Sequence, residues 1–292
     1  MGNVITIKVP DNYPLIASFI AKVNHGEDHV GYCGDDQEEI LHTLLHDFSD
    51  LPLEQSLVAA YEGDELVGVL GMDIDRESKV TELWGPFVVH EDCEKIATLM
   101  YNDIMNQIPI SLTQVLGFYN KENKNSQLFM EKIGAIRKDE HTILTCHKKG
   151  QIDEAGIVEV TPEYYESFRE LHDGSFPNAY ETSEEILSKI DDHHKVFVAH
   201  DQNELLGYVY CEANPQFSGG DIHFIAVTPS SRGLGIGKKL VNKALTFLFS
   251  FEEIEEITLC VNSSNQAAIH VYEKVGFTKV HELVFYQGKL GE

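Results

Sequence analysis

Apolar and polar positions follow the same order in two parts of the chain. VAAYEGDELVGVL begins at Val58 and FVAHDQNELLGYVY begins at Phe197, and each pattern predicts a β-hairpin. In the alignment of the two hairpins, ELVG from Glu65 falls on ELLG from Glu204. Further on, NKENKNSQLFMEKIGA from Asn120 matches NSSNQAAIHVYEKVGF from Asn262. Two matches in the same order indicate an internal duplication. The alternative is a pair of unrelated α/β domains whose hairpins happen to have similar sequences.

Each copy predicts the same series of elements. A first strand (ITIKV or IVEV) leads to helical segments, the hairpin, a further strand and an amphipathic helix. A strand, a short helix and a final strand follow. The order predicts a mixed α/β fold, an α+β mixed sheet in each of two tandem domains. We expect these domains at residues 1–147 and 152–292, joined by the polar stretch 147–151.

The charge balance excludes several classes of partner. The chain has 48 Asp and Glu against 22 Lys and Arg, a net charge of −26. Binding to nucleic acid and to anionic membranes depends on basic residues, so neither is expected. Five scattered cysteines predict neither a disulfide framework nor a metal site. The start of the chain lacks a basic segment followed by an apolar run, and no apolar run is long enough to span a membrane. We therefore expect a cytoplasmic protein.

One segment departs from this acidic background. Residues 222–251 contain no Asp or Glu, although they contain Arg232, Lys238, Lys239 and Lys243. The segment predicts a strand (IHFIAV), a glycine-rich turn (RGLGIG) and an amphipathic helix. The first N–H groups of a helix lack partners and carry partial positive charge, and glycines allow a phosphate to approach them. The segment therefore predicts a diphosphate site.

Two common diphosphate motifs do not fit this turn. A dinucleotide fold requires GxGxxG after the first strand, whereas this turn reads GxGxG in the middle of a domain. A nucleotide P-loop requires Gly at the position of Arg232 and Ser or Thr at that of Lys239. Neither nucleotide class is therefore indicated.

The segment resembles the acyl-CoA loop of the GNAT superfamily, the Gcn5-related N-acetyltransferases. The family pattern of Arg or Gln, two residues, Gly, one residue, and Gly or Ala is matched by Arg232, Gly235 and Gly237. A second signature follows, in the sequence NQAAIHVYEKVGF from Asn265 to 277. The resemblance covers about 152–290 and, more weakly, about 3–147. The tandem arrangement is similar to that of mycothiol synthase and other double-GNAT proteins, although no residue identifies that thiol substrate.

The resemblance implies acetyl-CoA as the co-substrate. The diphosphate would bind backbone N–H groups of the loop, and the pantetheine arm would run along the preceding strand. The Val227 N–H would polarise the thioester carbonyl, and Tyr272 would protonate the departing thiolate. The implied contact residues are Ile225, Val227, Arg232, Gly233, Leu234, Gly235, Ile236, Gly237, Lys238 and Asn265.

The residues leave several roles open. His223, Asp221 and Glu212 are candidates for a general base, and each is also explained as an ordinary strand residue or a solvated carboxylate. Alternation along the strand places Asp221 and His223 on one face. Tyr272 is either a general acid or a packing residue, and Asn265 is either a ligand or a helix N-cap.

The first copy departs from the family pattern at the loop. HEDCEKIATLMYN follows its strand, so Glu91, Asp92 and Glu94 stand where a diphosphate requires donors. Met130 occupies the position of Tyr272. We expect the first copy not to bind acyl-CoA and to support the second copy. Trp84 either fills the vacated pantetheine groove or packs in the core.

The sequence therefore predicts an N-acetyltransferase that transfers the acetyl group directly, in a ternary complex, from acetyl-CoA to an amine acceptor. An acidic protein is compatible with a cationic amine such as a polyamine, an aminoglycoside or a Lys side chain. A small-molecule amine is the default acceptor. The alternative is a non-catalytic acyl-CoA sensor or scaffold.

Overall fold

A computed structural model describes residues 4–147, 156–177, 179–202 and 204–291. The chain forms two compact units, one of residues 1–141 with 281–292 and the other of residues 142–280. Apart from His147, the predicted linker 147–151 lies outside the described residues.

Unit 1 has a mixed sheet whose strand order is β1-β2-β3-β4-β5-β12. Only the β4–β5 pair is parallel among the pairs described for this unit. The elements of the first copy are β1 (Ile5–Lys8), α1 (Tyr13–Val23), α2 (Gln37–His46), α3 (Leu53–Ser56), β2 (Leu57–Glu62), β3 (Glu65–Asp75), β4 (Val80–Val88), α4 (Cys93–Gln107), β5 (Gln114–Asn120), α5 (Lys124–Lys132) and β6 (Ile136–His147).

Unit 2 repeats this plan with the order β6-β11-β10-β9-β8-β7. Both copies therefore have the predicted mixed α/β fold. The elements of the second copy are β7 (Ile157–Glu159), α6 (Tyr165–Ser175), α7 (Ser183–Lys189), β8 (His194–Asp201), β9 (Glu204–Asn214), β10 (Gly219–Val227), α8 (Ile236–Leu248), β11 (Glu256–Asn262), α9 (Gln266–Val275) and β12 (Thr278–Lys289).

The final strands of the two copies are exchanged. β12 belongs to the second copy in sequence, yet it pairs with β5 in unit 1, from Leu283 opposite Asn120 to Lys289 opposite Gln114. Residues 142–147 of β6, from the first copy, belong to unit 2. Each compact unit is therefore completed by a strand of the other copy.

The amphipathic pattern of α8 is confirmed by its burial. All of its periodic apolar residues are buried in a cluster with residues of β9, β10 and β11: Leu240, Val241, Ala244, Leu245 and Leu248. Burial of such side chains stabilises a domain by about 1.5–3 kcal/mol each. This packing fixes the start of α8 next to the end of β10.

Two irregularities of the sheet in unit 2 shape its centre. β10 and β11 pair in parallel over only four residues, from Gly219 opposite Glu256 to Ile222 opposite Leu259. Both strands then continue, to Val227 and Asn262, without further pairing between them. A β-bulge between Ile222 and Phe224 interrupts the pairing of β10 with β9 at the same level. The two parallel strands therefore separate and leave a gap in the sheet.

Candidate active site

The gap between β10 and β11 exposes backbone groups of β10. The Thr228 N–H donates to the Leu206 carbonyl on the β9 side. The Ala226 carbonyl also points towards β9, because a Cβ atom added to Gly207 of β9 would lie only 2.7 Å from the carbonyl oxygen. Peptide groups of successive residues point to opposite sides of a strand. The N–H and C=O groups of Ile225 and Val227 therefore point into the gap, as groups that bind an extended ligand must.

The glycine turn that follows β10 adopts a conformation that favours glycine. Gly233 and Gly235 have φ angles of +79° and +80°, in the left-handed region. An L side chain costs about 1–2 kcal/mol in that region. Gly235 is the N-cap of α8, so no side chain caps the first N–H groups of this helix. Arg232 lies beside them and directs its Nε towards the Val227 carbonyl at 3.4 Å.

Gly237 has no comparable conformational reason to be glycine. It lies in the first turn of α8, and an added Cβ would make only an ordinary contact, 3.8 Å from Val227 Cγ2. Glycine inside a helix is about 1 kcal/mol less favourable than alanine. The first turn of α8 contains no acidic residue. The turn therefore keeps its backbone N–H groups accessible and surrounded by positive charge.

The β-bulge brings His223 into a polar cluster on the opposite face from Ile222. His223 Nε2 lies 3.1 Å from Glu212 Oε2, and its Nδ1 lies 2.7 Å from the Tyr180 hydroxyl. Asp221 is directly opposite Glu212 in the β9–β10 register. The structure therefore brings the three sequence candidates, His223, Asp221 and Glu212, together.

The cluster shifts the pKa values of its members in opposite directions. Burial lowers the pKa of His223, but the hydrogen bond with Glu212 and the charges of Asp221 and Glu212 outweigh it, so the pKa is raised above 6.5. The same hydrogen bond lowers the pKa of Glu212. Burial raises the pKa of the Asp221 carboxyl to about 6, against the influence of His223. An imidazole held by a charged carboxylate is a suitable general base near neutral pH.

Tyr180 is a member of this cluster that the sequence did not indicate. It lies in the loop between α6 and α7, about 40 residues before His223. Its ring packs against Phe224 at a centroid distance of 4.9 Å. No local motif marks it, since only the fold of the sheet brings this loop to the bulge.

Tyr272 and Asn265 both lie on α9. Tyr272 is 6% exposed and packs against Phe277 in the core of unit 2, and burial raises the pKa of its phenol. The phenol is therefore protonated at neutral pH. Asn265 is the N-cap of α9, where its Oδ1 accepts from the Ala268 N–H at 3.2 Å. This cap uses the oxygen only, so the amide nitrogen has no role in capping.

Unit 1 has a corresponding gap, but a tyrosine bridges it. β4 and β5 pair from Val80 opposite Gln114 to Glu82 opposite Leu116 and then separate. The buried Tyr119 of β5 donates its hydroxyl to the Gly85 carbonyl of β4 at 2.8 Å. Alignment of the second pair of matching segments places a valine at this position in unit 2, Val261. In unit 1 the two separated strands are therefore joined by a side chain, where unit 2 has the shorter valine.

Unit 1 nevertheless retains part of the polar cluster. Asp73 lies opposite Glu82, and alignment of the two hairpins maps this pair onto Glu212 and Asp221. Trp84 occupies the position of His223, where it is 5% exposed and packs edge-on against Phe48 in the core. Of the two roles considered for Trp84, core packing is the one observed.

Three further features describe the molecule as a whole. All five cysteines are free. Within residues 4–147, 156–177, 179–202 and 204–291, no three His, Cys, Asp or Glu side chains are arranged to hold a metal ion. None of the helices in these ranges has the length and apolar character needed to cross a membrane.

Comparisons with known proteins agree with this geometry. Residues 165–277 match the model of the acetyltransferase (GNAT) family. A mycothiol acetyltransferase of Rhodococcus jostii is 29% identical over 94 residues, which are 31% of this chain and 30% of the relative. One of Paenarthrobacter aurescens is 30% identical over 89 residues, or 29% of this chain and 27% of the relative. The chain thus spans less than a third of the length of these relatives.

Solved structures extend the similarity of the fold to the whole chain. A GCN5-related N-acetyltransferase from Sphaerobacter thermophilus has a TM-score of 0.72 at 18% identity, covering 98% of this chain and 95% of the other. A tandem GNAT protein from the clavulanic acid biosynthesis pathway has a TM-score of 0.61 at 14% identity and covers 99% of both chains. The fold of two tandem copies is therefore shown.

Proposed function

We propose that unit 2, in which residues 165–277 match the model of the GNAT acetyltransferase family, transfers the acetyl group of acetyl-CoA to an amine. One observation carries the proposal: the gap between β10 and β11 opens directly onto the uncapped start of α8. An extended ligand ending in a diphosphate matches both parts, because the gap offers strand-like backbone partners and the helix start offers N–H donors.

In this proposal the loop of residues 232–238 binds the diphosphate, and the pantetheine arm pairs with Ile225 and Val227. The Asn265 amide nitrogen donates to the same arm. Residues rise about 3.3 Å each along a strand, so Ile225 lies about 7 Å from His223 and Val227 about 13 Å. The thioester carbonyl must lie near the base, so this spacing favours the Ile225 N–H over the Val227 N–H as its donor.

The reaction then follows from the groups around the gap. The acceptor ammonium loses a proton to the cluster of His223 and Glu212, and the neutral nitrogen attacks the thioester carbonyl. The backbone N–H stabilises the tetrahedral oxyanion. Collapse of this intermediate expels the thiolate of CoA, which Tyr272 protonates, and the second proton lost by the attacking nitrogen as the amide forms restores the Tyr272 hydroxyl. Binding both substrates side by side in one ternary complex supplies much of the rate by proximity.

A small cationic amine is the proposed acceptor. The cluster next to the gap includes the carboxylates Asp221, Glu212 and Glu181, which attract a cation before it loses its proton. The two relatives are named for mycothiol, which is compatible with a small-molecule acceptor. The five free cysteines are compatible with a reducing cytoplasm as the place of the reaction.

Unit 1 is proposed to be a degenerate copy that binds no acyl-CoA. Tyr119 bridges its gap, and α4 begins with Asp92 as its N-cap and Glu94 in its first turn. Negative charge at this helix start repels a diphosphate instead of binding it.

An acceptor screen tests the proposed function. The full chain is incubated with acetyl-CoA and a panel of primary amines, and released CoA is followed by a thiol reagent. Acetylation of at least one amine, with one CoA released for each acetyl group transferred, supports the proposal. Tight binding of acetyl-CoA by calorimetry without thiol release for any amine contradicts it and favours the sensor alternative.

A further inference from the structure

Both ring nitrogens of His223 already face hydrogen-bonding partners, so neither can contact the acceptor amine directly. Its Nε2 faces Glu212 at 3.1 Å, and its Nδ1 faces the Tyr180 hydroxyl at 2.7 Å. The Tyr210 ring stacks on the imidazole at a centroid distance of 5.3 Å and covers one of its faces. A base whose two nitrogens are engaged must pass protons through one of its partners.

The chemistry of the two partners fixes the direction of this transfer. An ionised carboxylate only accepts hydrogen bonds, and the hydrogen bond from His223 lowers the pKa of Glu212. Nε2 of the neutral imidazole therefore carries the hydrogen and donates it to Glu212. Nδ1 is then an acceptor, and the Tyr180 hydroxyl is its donor. Glu212, His223 and Tyr180 thus form a chain in which each group orients the next, as in a nucleophilic triad.

Tyr180 is placed at the open end of this chain. Tyr180 as a residue is 68% exposed, whereas Glu212 and His223 are partly buried, although burial around its hydroxyl raises the pKa of the phenol. Its ring is held by Phe224 at 4.9 Å, and Phe224 itself faces the same side as His223 because of the β-bulge. Tyr180 is therefore the most exposed residue of the three, and its hydroxyl joins the solvent-facing side to His223.

We propose that Tyr180 is the catalytic residue that contacts the acceptor nitrogen and that His223 removes the proton through it. The inference rests on the proposed function of unit 2. The acceptor ammonium gives one proton to Tyr180 Oη while the phenolic proton moves to His223 Nδ1. The products are a neutral amine, an unchanged phenol and an imidazolium paired with Glu212. No oxidant or further reactant is required.

The surroundings of His223 support the charged product. Glu212, Asp221 and Glu181 are the charged groups that act on the imidazole, and all three favour its protonated form. Glu181 also pairs with Lys189. On the far side, Glu212 Oε1 lies 3.6 Å from His194 Nε2, and His194 Nδ1 lies 2.9 Å from the exposed Asp191. This continuation offers a route by which the proton returns to solvent.

Tyr180→Phe tests the proposal, because it removes the hydroxyl and keeps the ring that packs on Phe224. The probes are ethylamine, which is protonated at pH 7.5, and 2,2,2-trifluoroethylamine, which is mostly neutral there. We expect kcat/KM for ethylamine to fall by about 100-fold or more, and that for trifluoroethylamine by less than about 10-fold. The Kd for acetyl-CoA stays within about twofold, since no proposed contact with it is changed. Tyr165→Phe, on α6, is the matched control and leaves both amines unaffected.

A double-mutant cycle with His223→Gln separates catalysis from a structural role. If the proton passes through both residues, the double variant loses about as much activity as either single variant. Three results would each overturn the proposal: equal losses of activity for the two amines, additive losses in the double-mutant cycle, or full ethylamine activity of Tyr180→Phe. In each case, turnover by the wild-type protein leaves the proposed function of unit 2 standing. Absence of thiol release by the wild-type protein with these two amines and with every amine of the acceptor panel overturns the proposed function and this inference with it.

Discussion

Replacing Gly237 by alanine separates the stability of the fold from the binding of acetyl-CoA. The added Cβ meets only Val227 Cγ2, at 3.8 Å, so the folded structure accommodates it. Alanine also restricts the unfolded chain and favours the helix. We therefore expect Gly237→Ala to raise the free energy of unfolding by about 0.5–1 kcal/mol.

The same methyl group lies where the diphosphate is proposed to approach the N–H groups at the start of α8. A hydrogen bond to a charged group contributes about 1.5–3 kcal/mol. Loss of one such bond corresponds to an increase in Kd of about 10- to 150-fold. The variant is thus expected to be more stable than the wild type and to bind acetyl-CoA more weakly.

Chemical denaturation and titration calorimetry measure the two effects on one preparation. Gly174→Ala is the matched control, because Gly174 also lies in a helix, α6, and an added Cβ there meets nothing within 4 Å. The control should gain stability and bind acetyl-CoA as the wild type does. Wild-type affinity in Gly237→Ala would refute the placement of the diphosphate at this helix start.

Three further predictions concern single side chains. Tyr272→Phe should lower kcat by about 100-fold with little change in the Kd for acetyl-CoA, as measured by thiol release and calorimetry; an unchanged kcat removes Tyr272 as the general acid. Glu212→Gln removes the charge that raises the pKa of His223 and leaves only a neutral hydrogen-bond acceptor, so the acidic limb of the kcat/KM profile should move to lower pH; an unchanged limb would show that Glu212 does not set the pKa of the base. In unit 1, burial raises the pKa of Glu82 from 4.5 to about 7, so folding stability falls as pH rises from 4.5 to about 7 and stays lowered above that. Glu82→Gln should therefore raise the free energy of unfolding by about 1–3 kcal/mol at pH 8, and by less than about 1 kcal/mol at pH 5, in urea titrations; an equal gain at both pH values contradicts the assignment.

The duplication and the glycine turn could be predicted from the sequence because both depend on local patterns. The hairpins, the apolar face of α8 and the strand that precedes the turn each follow from the spacing of neighbouring residues. A Thr-Pro-Glu sequence such as that at 161–163 is typical of a helix start, but residues 162–164 form a 3-10 turn, and the Thr161 side chain makes no capping hydrogen bond.

Other features depend on contacts between distant segments and had no local signal. The exchange of β6 and β12 leaves each strand with the same alternating pattern and changes only the strand it pairs with. The β-bulge at His223 has no sequence signature, and it determines that His223 and Phe224 face one side. Tyr180 and Tyr119 act through partners that are far from them in the sequence, His223 and Gly85.

The two units differ at the positions that form the proposed site in unit 2. The opposed carboxylates of β3 and β4 remain, as Asp73 and Glu82, but a tryptophan replaces the central histidine. A tyrosine bridges the gap in the sheet, and acidic residues replace the glycine turn. The strand order is equivalent in the two units, so these differences lie in the side chains and not in the topology.

The location of coenzyme A in the folded chain tests the central claim most directly. Crystals of the full-length protein grown with CoA should show the diphosphate on the backbone N–H groups of residues 232–238 and the pantetheine arm between β10 and β11. CoA bound instead at the start of α4, or along the gap between β4 and β5, would contradict the account.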